Sequence, residues 1–213
     1  MTVRVASSPA QTRQQKTHQR VRQEIVLAAA GVFARHGYAA ASLADLAKAA
    51  GYAPPSLYRY FKSKEEIFSS LIELLKRELH DTFERPVDRG QPLAVRLQTL
   101  LRGQLELTRQ RREIFAVLLT SRHTVDPGTS PLPDLRAGMA LYESDMTRWL
   151  RRHVARRELR CPFAMAARAL AGISHAFHHR HLDGTDQTPA AEQARLVVDL
   201  ALHGVRATAP SSP

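Results

Sequence analysis

The chain has 213 residues, of which 44% are hydrophobic, and a formal net charge of +11. This size and composition are typical of a globular protein with one large or two small domains. No apolar run approaches the ~20 residues of a membrane-spanning helix, and the N-terminus lacks the apolar core of a secretory signal. With one cysteine, Cys161, an internal disulfide is excluded. We therefore expect a cytoplasmic protein with no membrane partner.

Two segments precede the most informative part of the chain. Residues 1–16 are polar and without periodicity, which predicts a disordered basic arm. Thr17 to about His36 is predicted to be a helix, because apolar residues recur at steps of three and four. Gly37 is expected to end this helix. Its apolar face consists of Val21, Ile25, Ala28, Ala29, Val32 and Phe33.

Residues 42–64 predict two short helices joined by a tight turn. Ser42 is suited to cap the first helix, and Gly51 follows where that helix should end. The second helix opens with prolines, which fit a first helical turn, and Leu57 and Phe61 can face inward together. A polar, basic second helix after a glycine-containing turn is the helix-turn-helix pattern of a DNA-binding protein.

The charge is concentrated on the same part of the chain. Residues 1–64 hold ten Lys or Arg and two Asp or Glu, a net +8, whereas residues 65–213 hold 21 and 18, a net +3. This asymmetry favours a polyanionic partner. A basic sequence alone leaves open a protein that binds no nucleic acid specifically, so the charge supports the motif and does not replace it.

The rest of the chain predicts further helices and no strands. Ser63 and Glu66 suggest a capping box for a fourth helix, which runs to about Phe83. Later helices are predicted over 93–109, 111–122, 135–154, 163–182 and 189–207. The prediction is an all-α protein of about nine helices. Its parts are a disordered arm (1–16), a three-helix helix-turn-helix domain (17–64), a second helical domain (65–207) and a disordered tail (208–213).

The helix-turn-helix segment resembles the DNA-binding domain of the TetR family of transcriptional regulators. The pattern LYxxF at 57–61, with a lysine after two further residues, carries most of the likeness. The resemblance reaches back over Ile25–Tyr38, and LVVDLALHGV near the C-terminus resembles the last helix of the family. The other matching residues are Ser42, Leu46, Ala47, Ala50, Gly51, Ser56, Tyr60, Ser63, Lys64 and Glu65.

This resemblance implies a homodimer that binds a palindromic double-stranded DNA operator, most simply a repressor released by a small, largely apolar effector. It implies backbone contacts from Ser42, Tyr58 and Lys64, each a donor for phosphate oxygens. The N-terminal part of a recognition helix enters the major groove. The residues expected at base edges are therefore Pro54, Pro55, Ser56, Arg59 and Tyr60.

The sequence departs from the family pattern just before the recognition helix. Many members have Ser, any residue and Gly where this chain has Ala53, Pro54 and Pro55. Alanine is a poor cap, worth ~1 kcal/mol less than serine. The two prolines also remove amides that could hold a phosphate, while their rings offer apolar surface suited to thymine methyl groups.

The second domain suggests candidates for an effector pocket and a dimer interface. The predicted pocket residues are polar or aromatic groups on apolar faces: Gln104, Thr108, Phe115, Leu119, Tyr142, Met146 and Trp149. The same pattern is also typical of an ordinary helical core. The resemblance implies an interface built from the last two helices, for which the predicted residues are Ala164, Ala167, Ala171, His175, Val198 and Leu202.

Two other functions stay open at this point. A DNA-binding structural protein without an effector would show the same first domain. An all-helical enzyme is disfavoured, because the sequence has no glycine-rich phosphate loop, HExxH motif or paired-carboxylate signature. No cofactor is predicted. His175 and His179 have a metal-compatible spacing, but a polar helix end explains the cluster equally well, so no metal site is predicted.

Overall fold

The computed structural model describes residues 9–120, 135–182 and 187–204. Within these ranges the protein has nine α-helices, one short 3-10 helix at Arg156–Glu158 and no strand, which confirms the all-α prediction. No helix among these residues is long and apolar enough to cross a membrane. The helices are α1 (Pro9–Ala40), α2 (Leu43–Ala49), α3 (Pro54–Leu57), α4 (Lys64–Phe83), α5 (Leu93–Gln110), α6 (Arg112–Thr120), α7 (Leu135–His153), α8 (Phe163–Leu182) and α9 (Ala190–His203).

Helix α1 begins earlier than the sequence predicted. Pro9–Lys16, expected to belong to a disordered arm, forms its first two turns, so that part of the prediction is wrong. Glutamine, arginine and lysine are good helix formers, and extending an existing helix avoids the cost of nucleation. At its other end, Gly37 leaves helical geometry with φ 75° and ψ 164°, where the helix was expected to end. Residues 1–8 and the predicted tail 208–213 lie outside the described residues.

The described residues form two compact units, and the division falls inside α4. The first unit consists of residues 9–74 and contains α1, α2, α3 and the first half of α4. Its interior is built from the inward faces of all four helices. The residues that are almost completely buried there include Ile25, Phe33, Leu46, Leu57, Phe61, Ile67, Phe68 and Leu71.

The second unit consists of residues 75–119, 135–182 and 187–204. Helix α5 packs against α8 and α9, and α8 also packs against α7 and α9. The core between these helices is mainly aliphatic, with Trp149 as its largest side chain. Six polar or charged side chains are also buried among the described residues of this unit: those of Thr82, Arg96, Gln104, Thr108, Ser174 and Gln193.

Candidate nucleic-acid interface

Helix α2 begins with the predicted serine cap. The Asp45 amide donates to Ser42 Oγ at 3.1 Å, and the Asp45 carboxylate accepts from the Ser42 amide at 3.2 Å and from its hydroxyl at 2.5 Å. The hydrogen bond from the Ser42 hydroxyl holds the pKa of Asp45 below its usual value. Ser42 is exposed, and its proposed contact with phosphate stays a prediction.

The recognition segment, defined here as Pro54–Phe61, opens with the four-residue helix α3 and continues as a turn. Ala53 precedes it and makes no side-chain cap, in agreement with the sequence prediction. Leu57 and Phe61 are both buried, because they lie four residues apart on the inward face. They hold the segment on the core of the first unit.

The outward side of the recognition segment is polar, aromatic and basic. Tyr58 is 57% exposed, which excludes a core role for its ring. Pro54, Pro55 and Arg59 are also exposed, and Ser56 is half-buried. These exposed groups can reach a groove or backbone of a duplex, although the role of each in DNA binding stays a prediction.

Tyr60 differs from its neighbours, because its ring is half-buried against other aromatic rings of the first unit. Its centroid lies 4.9 Å from the ring of His18 and 6.1 Å from that of Tyr52. Its carbonyl accepts a hydrogen bond from Arg22. Tyr60 therefore connects the recognition segment to α1, and a contact with a base edge stays a prediction for it.

Arg22 braces the recognition segment from α1. Its guanidinium lies 4.0 Å from the ring centroid of Phe61 and donates to Glu66 Oε1 at 2.9 Å. Glu66 Oε2 accepts from the Lys62 amide at 2.8 Å. The hydrogen bond from the Lys62 amide lowers the pKa of Glu66, and the hydrogen bond from Arg22 lowers it further. This role of Arg22 was not predicted from the sequence, although Arg22 stands three residues before Ile25 on the inward face of α1.

Lys64 stands at the start of α4 and holds the end of α1. Its ammonium donates to the carbonyls of Tyr38, Ala39 and Ala41 at 2.9, 3.2 and 2.9 Å, and it lies 4.6 Å from the ring centroid of Tyr38. An ammonium has three protons, so these bonds use all of its donors. A phosphate contact by Lys64 stays a prediction, and it would have to replace at least one of these bonds.

Tyr38 completes this corner of the first unit. Its hydroxyl donates to Glu65 Oε1 at 2.7 Å, and its ring packs against those of Phe33 and Phe68. Burial of the hydroxyl, followed by its bond to Glu65, raises the pKa of Tyr38. Together with Lys64, this cluster fixes the junction between α1 and α2, and with it the position of Ser42.

In the second unit, three of the predicted pocket residues lie in one hydrogen-bonded group. The Tyr142 hydroxyl donates to Gln104 Oε1 at 2.7 Å, Gln104 Nε2 donates to Thr82 Oγ1 at 3.3 Å, and Thr108 Oγ1 donates to the Gln104 carbonyl at 3.0 Å. Burial raises the pKa of Tyr142. We call Thr82, Gln104, Thr108 and Tyr142 the buried polar group. Ser174, a further polar neighbour of Tyr142, was not predicted.

The other predicted pocket residues are placed differently. Met146 and Trp149 are buried within the aliphatic core of the second unit, and Phe115 is half-buried. Leu119 lies on α6, and its side chain is outside the described part of the structure. Their assignment to an effector pocket stays a prediction.

Half of the predicted interface residues face the wrong way. Ala167, Ala171 and Val198 are buried in the core of their own unit, so their assignment to a dimer interface is wrong. Helix α8 carries small residues on both faces, and the sequence did not reveal which face packs inward. Ala164 is exposed, whereas His175 and Leu202 are half-buried. The exposed face of α8 consists of Ala164, Met165, Arg168, Ala169, Gly172 and Ala176.

Comparison with known proteins identifies the first unit. Residues 25–71 match the family model described as bacterial regulatory proteins, tetR family. The HTH-type transcriptional regulator AcrR of Shigella flexneri is 33% identical over 106 residues, which are 47% of this chain and 48% of AcrR. The chain thus aligns with about half the length of this curated relative.

Solved structures resemble the chain over most of its length. The TetR family transcriptional regulator PfmR of Thermus thermophilus has 26% identity and a TM-score of 0.67, covering 86% of this chain and 99% of PfmR. A complex of SmeT with triclosan has 25% identity and a TM-score of 0.68, covering 86% of this chain and 90% of that one. The motif at 57–61, the helix-turn-helix unit and the similarity of the chain to these solved structures agree, and the chain is similar to transcriptional regulators of the TetR family.

Proposed function

We propose that this protein is a transcriptional repressor that binds a palindromic operator as a homodimer and leaves it when a small, largely apolar effector binds. The observation that carries this proposal is the recognition segment. Its inward residues, Leu57 and Phe61, are buried, while Pro54, Pro55 and Arg59 are exposed. A short segment that is anchored by its inward residues in this way would present a rigid polar and basic surface to the major groove.

The exposed residues divide into two kinds of contact. Arg59 suits a guanine edge, to which a guanidinium can donate two hydrogen bonds, and the proline rings suit thymine methyl groups. Ser42 and Tyr58 carry hydroxyl groups that suit phosphate oxygens and would set the register without reading sequence. Arg22, through Phe61 and Glu66, would keep the recognition segment fixed while these contacts form.

Operator selection followed by a single substitution tests DNA reading. A preferred duplex is first selected from random DNA with the wild-type protein, and its affinity should fall steeply with salt. Arg59→Ala should lose ~1–3 kcal/mol of discrimination at one base pair if Arg59 binds a guanine. Arg35→Ala, which removes an exposed arginine elsewhere in the first unit, is the matched control. A wild-type protein that selects no sequence would overturn the proposal.

The homodimer would use the exposed face of α8. Met165 on this face is 61% exposed, and Leu196 on α9 is 42% exposed, so apolar surface is available on both helices. Small residues at 169, 172 and 176 permit close approach of a second copy related by twofold symmetry. A palindromic operator requires such a symmetric pair of recognition segments.

Assembly is tested by placing a charge on that face. Light scattering should give a mass near twice the 23.8 kDa of the chain. Ala169→Glu should shift the protein to monomer, because an unpaired carboxylate would be buried at the interface. Ala140→Glu, on the exposed side of α7, should leave the mass unchanged. A wild-type monomer that binds a palindrome tightly would contradict the proposed assembly.

The effector is proposed to contact the buried polar group. That group joins α4, α5 and α7 in a mainly apolar interior, which suits a neutral ligand with one hydrogen-bonding group. The triclosan complex of the similar SmeT supports an effector of this chemistry. Triclosan is therefore the first probe, and it should release operator from the wild-type protein more readily than from Tyr142→Phe.

The burial of Met146 and Trp149 favours one alternative, a DNA-binding structural protein without an effector. The two functions differ in a single measurement. If neither triclosan nor a panel of neutral aromatic compounds changes operator affinity or the melting temperature, the alternative is the better description.

A further inference from the structure

The N-terminal turns of α1 carry a basic face that lies outside the family match. The match begins at residue 25, whereas α1 begins at Pro9. Residues 13–20 are all exposed. Arg13, Lys16 and Arg20 are spaced by three and four residues, so at ~100° per residue they fall within about 60° of one another around the helix. We call these three residues the α1 basic face.

No acidic residue precedes Glu24 in the chain, so the charge of this face is almost unopposed. Arg20 and Glu24 approach to 3.5 Å, but their side chains are 73% and 57% exposed. A pair that exposed is held weakly, and Arg20 can exchange it for another anion. Residues 13–20 also contain no large apolar side chain, which disfavours docking to a membrane surface or an apolar protein groove.

Helix α1, which carries the α1 basic face, contacts the recognition segment through other residues. The rings of His18 and Tyr60 lie 4.9 Å apart, and Arg22 donates to the Tyr60 carbonyl. Arg13 stands nine residues before Arg22, so a continuous helix carries it about 14 Å from this anchor. Because the helix is already formed, its cations can engage a ligand without the entropy cost of ordering a flexible arm.

We propose that the α1 basic face binds the phosphate backbone of duplex DNA flanking each operator half-site, and that it adds affinity without sequence preference. This inference rests on the proposed DNA-binding function. DNA is the occupant with the matching chemistry, because a duplex presents phosphates in a regular array next to the bases that the recognition segment would read. The face would thus lengthen the footprint of each subunit beyond its half-site.

The experiment compares the wild-type protein with the triple variant R13Q/K16Q/R20Q. Glutamine keeps helix propensity while removing the charge. On a selected operator with ten flanking base pairs at each end, the variant should bind more weakly at low salt. The slope of log affinity against log salt should flatten by about 0.9 for each phosphate that the variant no longer neutralises. Because each subunit loses three cations, a dimer of the variant could leave up to about six phosphates without a cation. Preference among operator variants should not change.

Two controls separate a local contact from a general loss of charge. R151Q/R157Q/R160Q removes three exposed arginines from the second unit and should keep the wild-type slope. On an operator trimmed to its two half-sites, wild type and R13Q/K16Q/R20Q should bind almost equally. R13K/R20K, which keeps the charge, should behave as wild type on both duplexes.

The outcomes distinguish this inference from the proposed function. Equal slopes for wild type and R13Q/K16Q/R20Q on the flanked operator would overturn the role of the α1 basic face while leaving operator binding intact. If R151Q/R157Q/R160Q flattened the salt slope equally, the effect would be due to net charge. That result would also overturn the role of the α1 basic face. A wild-type protein without sequence preference would instead overturn the proposed function. Circular dichroism of the variant confirms that α1 is retained.

Discussion

The two units place their polar side chains in opposite ways. In the first unit, the residues proposed to meet DNA lie on the surface: Arg59 and Ser42 are exposed, and Tyr58 is 57% exposed. In the second unit, Gln104 and Thr108 are completely buried and bond to neighbours inside the core. In the first unit, these polar residues are available for contact with another molecule. In the second unit, Gln104 and Thr108 form hydrogen bonds inside the core.

The difference follows from how many sides of each helix are covered. Helices α2 and α3 are short and use one face each, so periodicity separates inward from outward positions. Helix α8 packs against α5, α7 and α9, and α5 packs against α8 and α9 and is hydrogen-bonded to α4 and α7 through Gln104. Some of their polar residues are therefore enclosed along with the apolar ones. An enclosed polar side chain needs a hydrogen-bond partner. The members of the buried polar group provide such partners for one another.

The largest expected effect separates core from surface aromatic residues. Trp149→Ala should lower the free energy of unfolding by ~3–5 kcal/mol, because it would leave a cavity in the second unit. Tyr58→Ala, the matched surface variant, should change it by less than ~0.5 kcal/mol while weakening operator binding. Urea denaturation and operator titration of both variants measure the contrast. A Trp149→Ala protein that unfolds like wild type would return Trp149 to the pocket prediction.

The next effect tests whether the buried polar group acts as a unit. Gln104→Leu should cost ~1–3 kcal/mol, because it removes the Gln104 acceptor of the Tyr142 hydroxyl and the donor to Thr82 Oγ1 from a buried site. Adding Tyr142→Phe should recover part of that loss, since both sides of the bond are then apolar. Gln110→Leu, an exposed position on the same helix, should be nearly neutral. Additive losses in this double-mutant cycle would mean that the two side chains do not interact.

Much of the first unit could be predicted from the sequence, because its signals are local. The cap at Ser42, the break in helical geometry at Gly37 and the burial of Leu57 and Phe61 each depend on residues within one or two turns. The contacts of Arg22 and Lys64 could not be predicted in the same way. They join positions 23 to 44 residues apart, and a long basic side chain has the same local pattern whether it meets phosphate or carbonyl oxygen.

In the second unit the number and approximate bounds of the helices could be predicted, but not their rotation. The small residues of α8 were predicted to form a contact surface that included Ala167 and Ala171. In the structure both residues face the core. Ala169 and Gly172 stand one or two positions away on the exposed side. Alanine serves both faces equally well, so only packing against α5, α7 and α9 decides which one is inward.

A smaller effect distinguishes the two roles of Lys64. Lys64→Met keeps the apolar stem but removes the ammonium from three carbonyls, and should cost about 1 kcal/mol because water can replace it in part. If Lys64 only holds the end of α1, the salt dependence of operator binding should stay unchanged. A slope flattened by about 0.9 per subunit would instead assign it to phosphate. Lys62→Met, at an exposed neighbour, is the control for both measurements.

The smallest effect concerns the caps of the two helix-turn-helix helices. Ser42→Ala should destabilise the first unit by ~1 kcal/mol, because the Asp45 amide loses its acceptor. The reverse change, Ala53→Ser, should raise the free energy of unfolding by only a few tenths of a kcal/mol, which is less than a serine cap usually provides. Ala53 has the extended conformation that a cap requires, with φ −69° and ψ 143°, but the next two residues are prolines without amide protons. A serine there could accept only from Ser56, whose amide already donates to the Ala53 carbonyl at 2.9 Å. Melting temperatures of the two variants, measured at pH 7, should therefore move in opposite directions by unequal amounts. A gain from Ala53→Ser as large as the loss from Ser42→Ala would show that the prolines do not limit capping of the recognition segment.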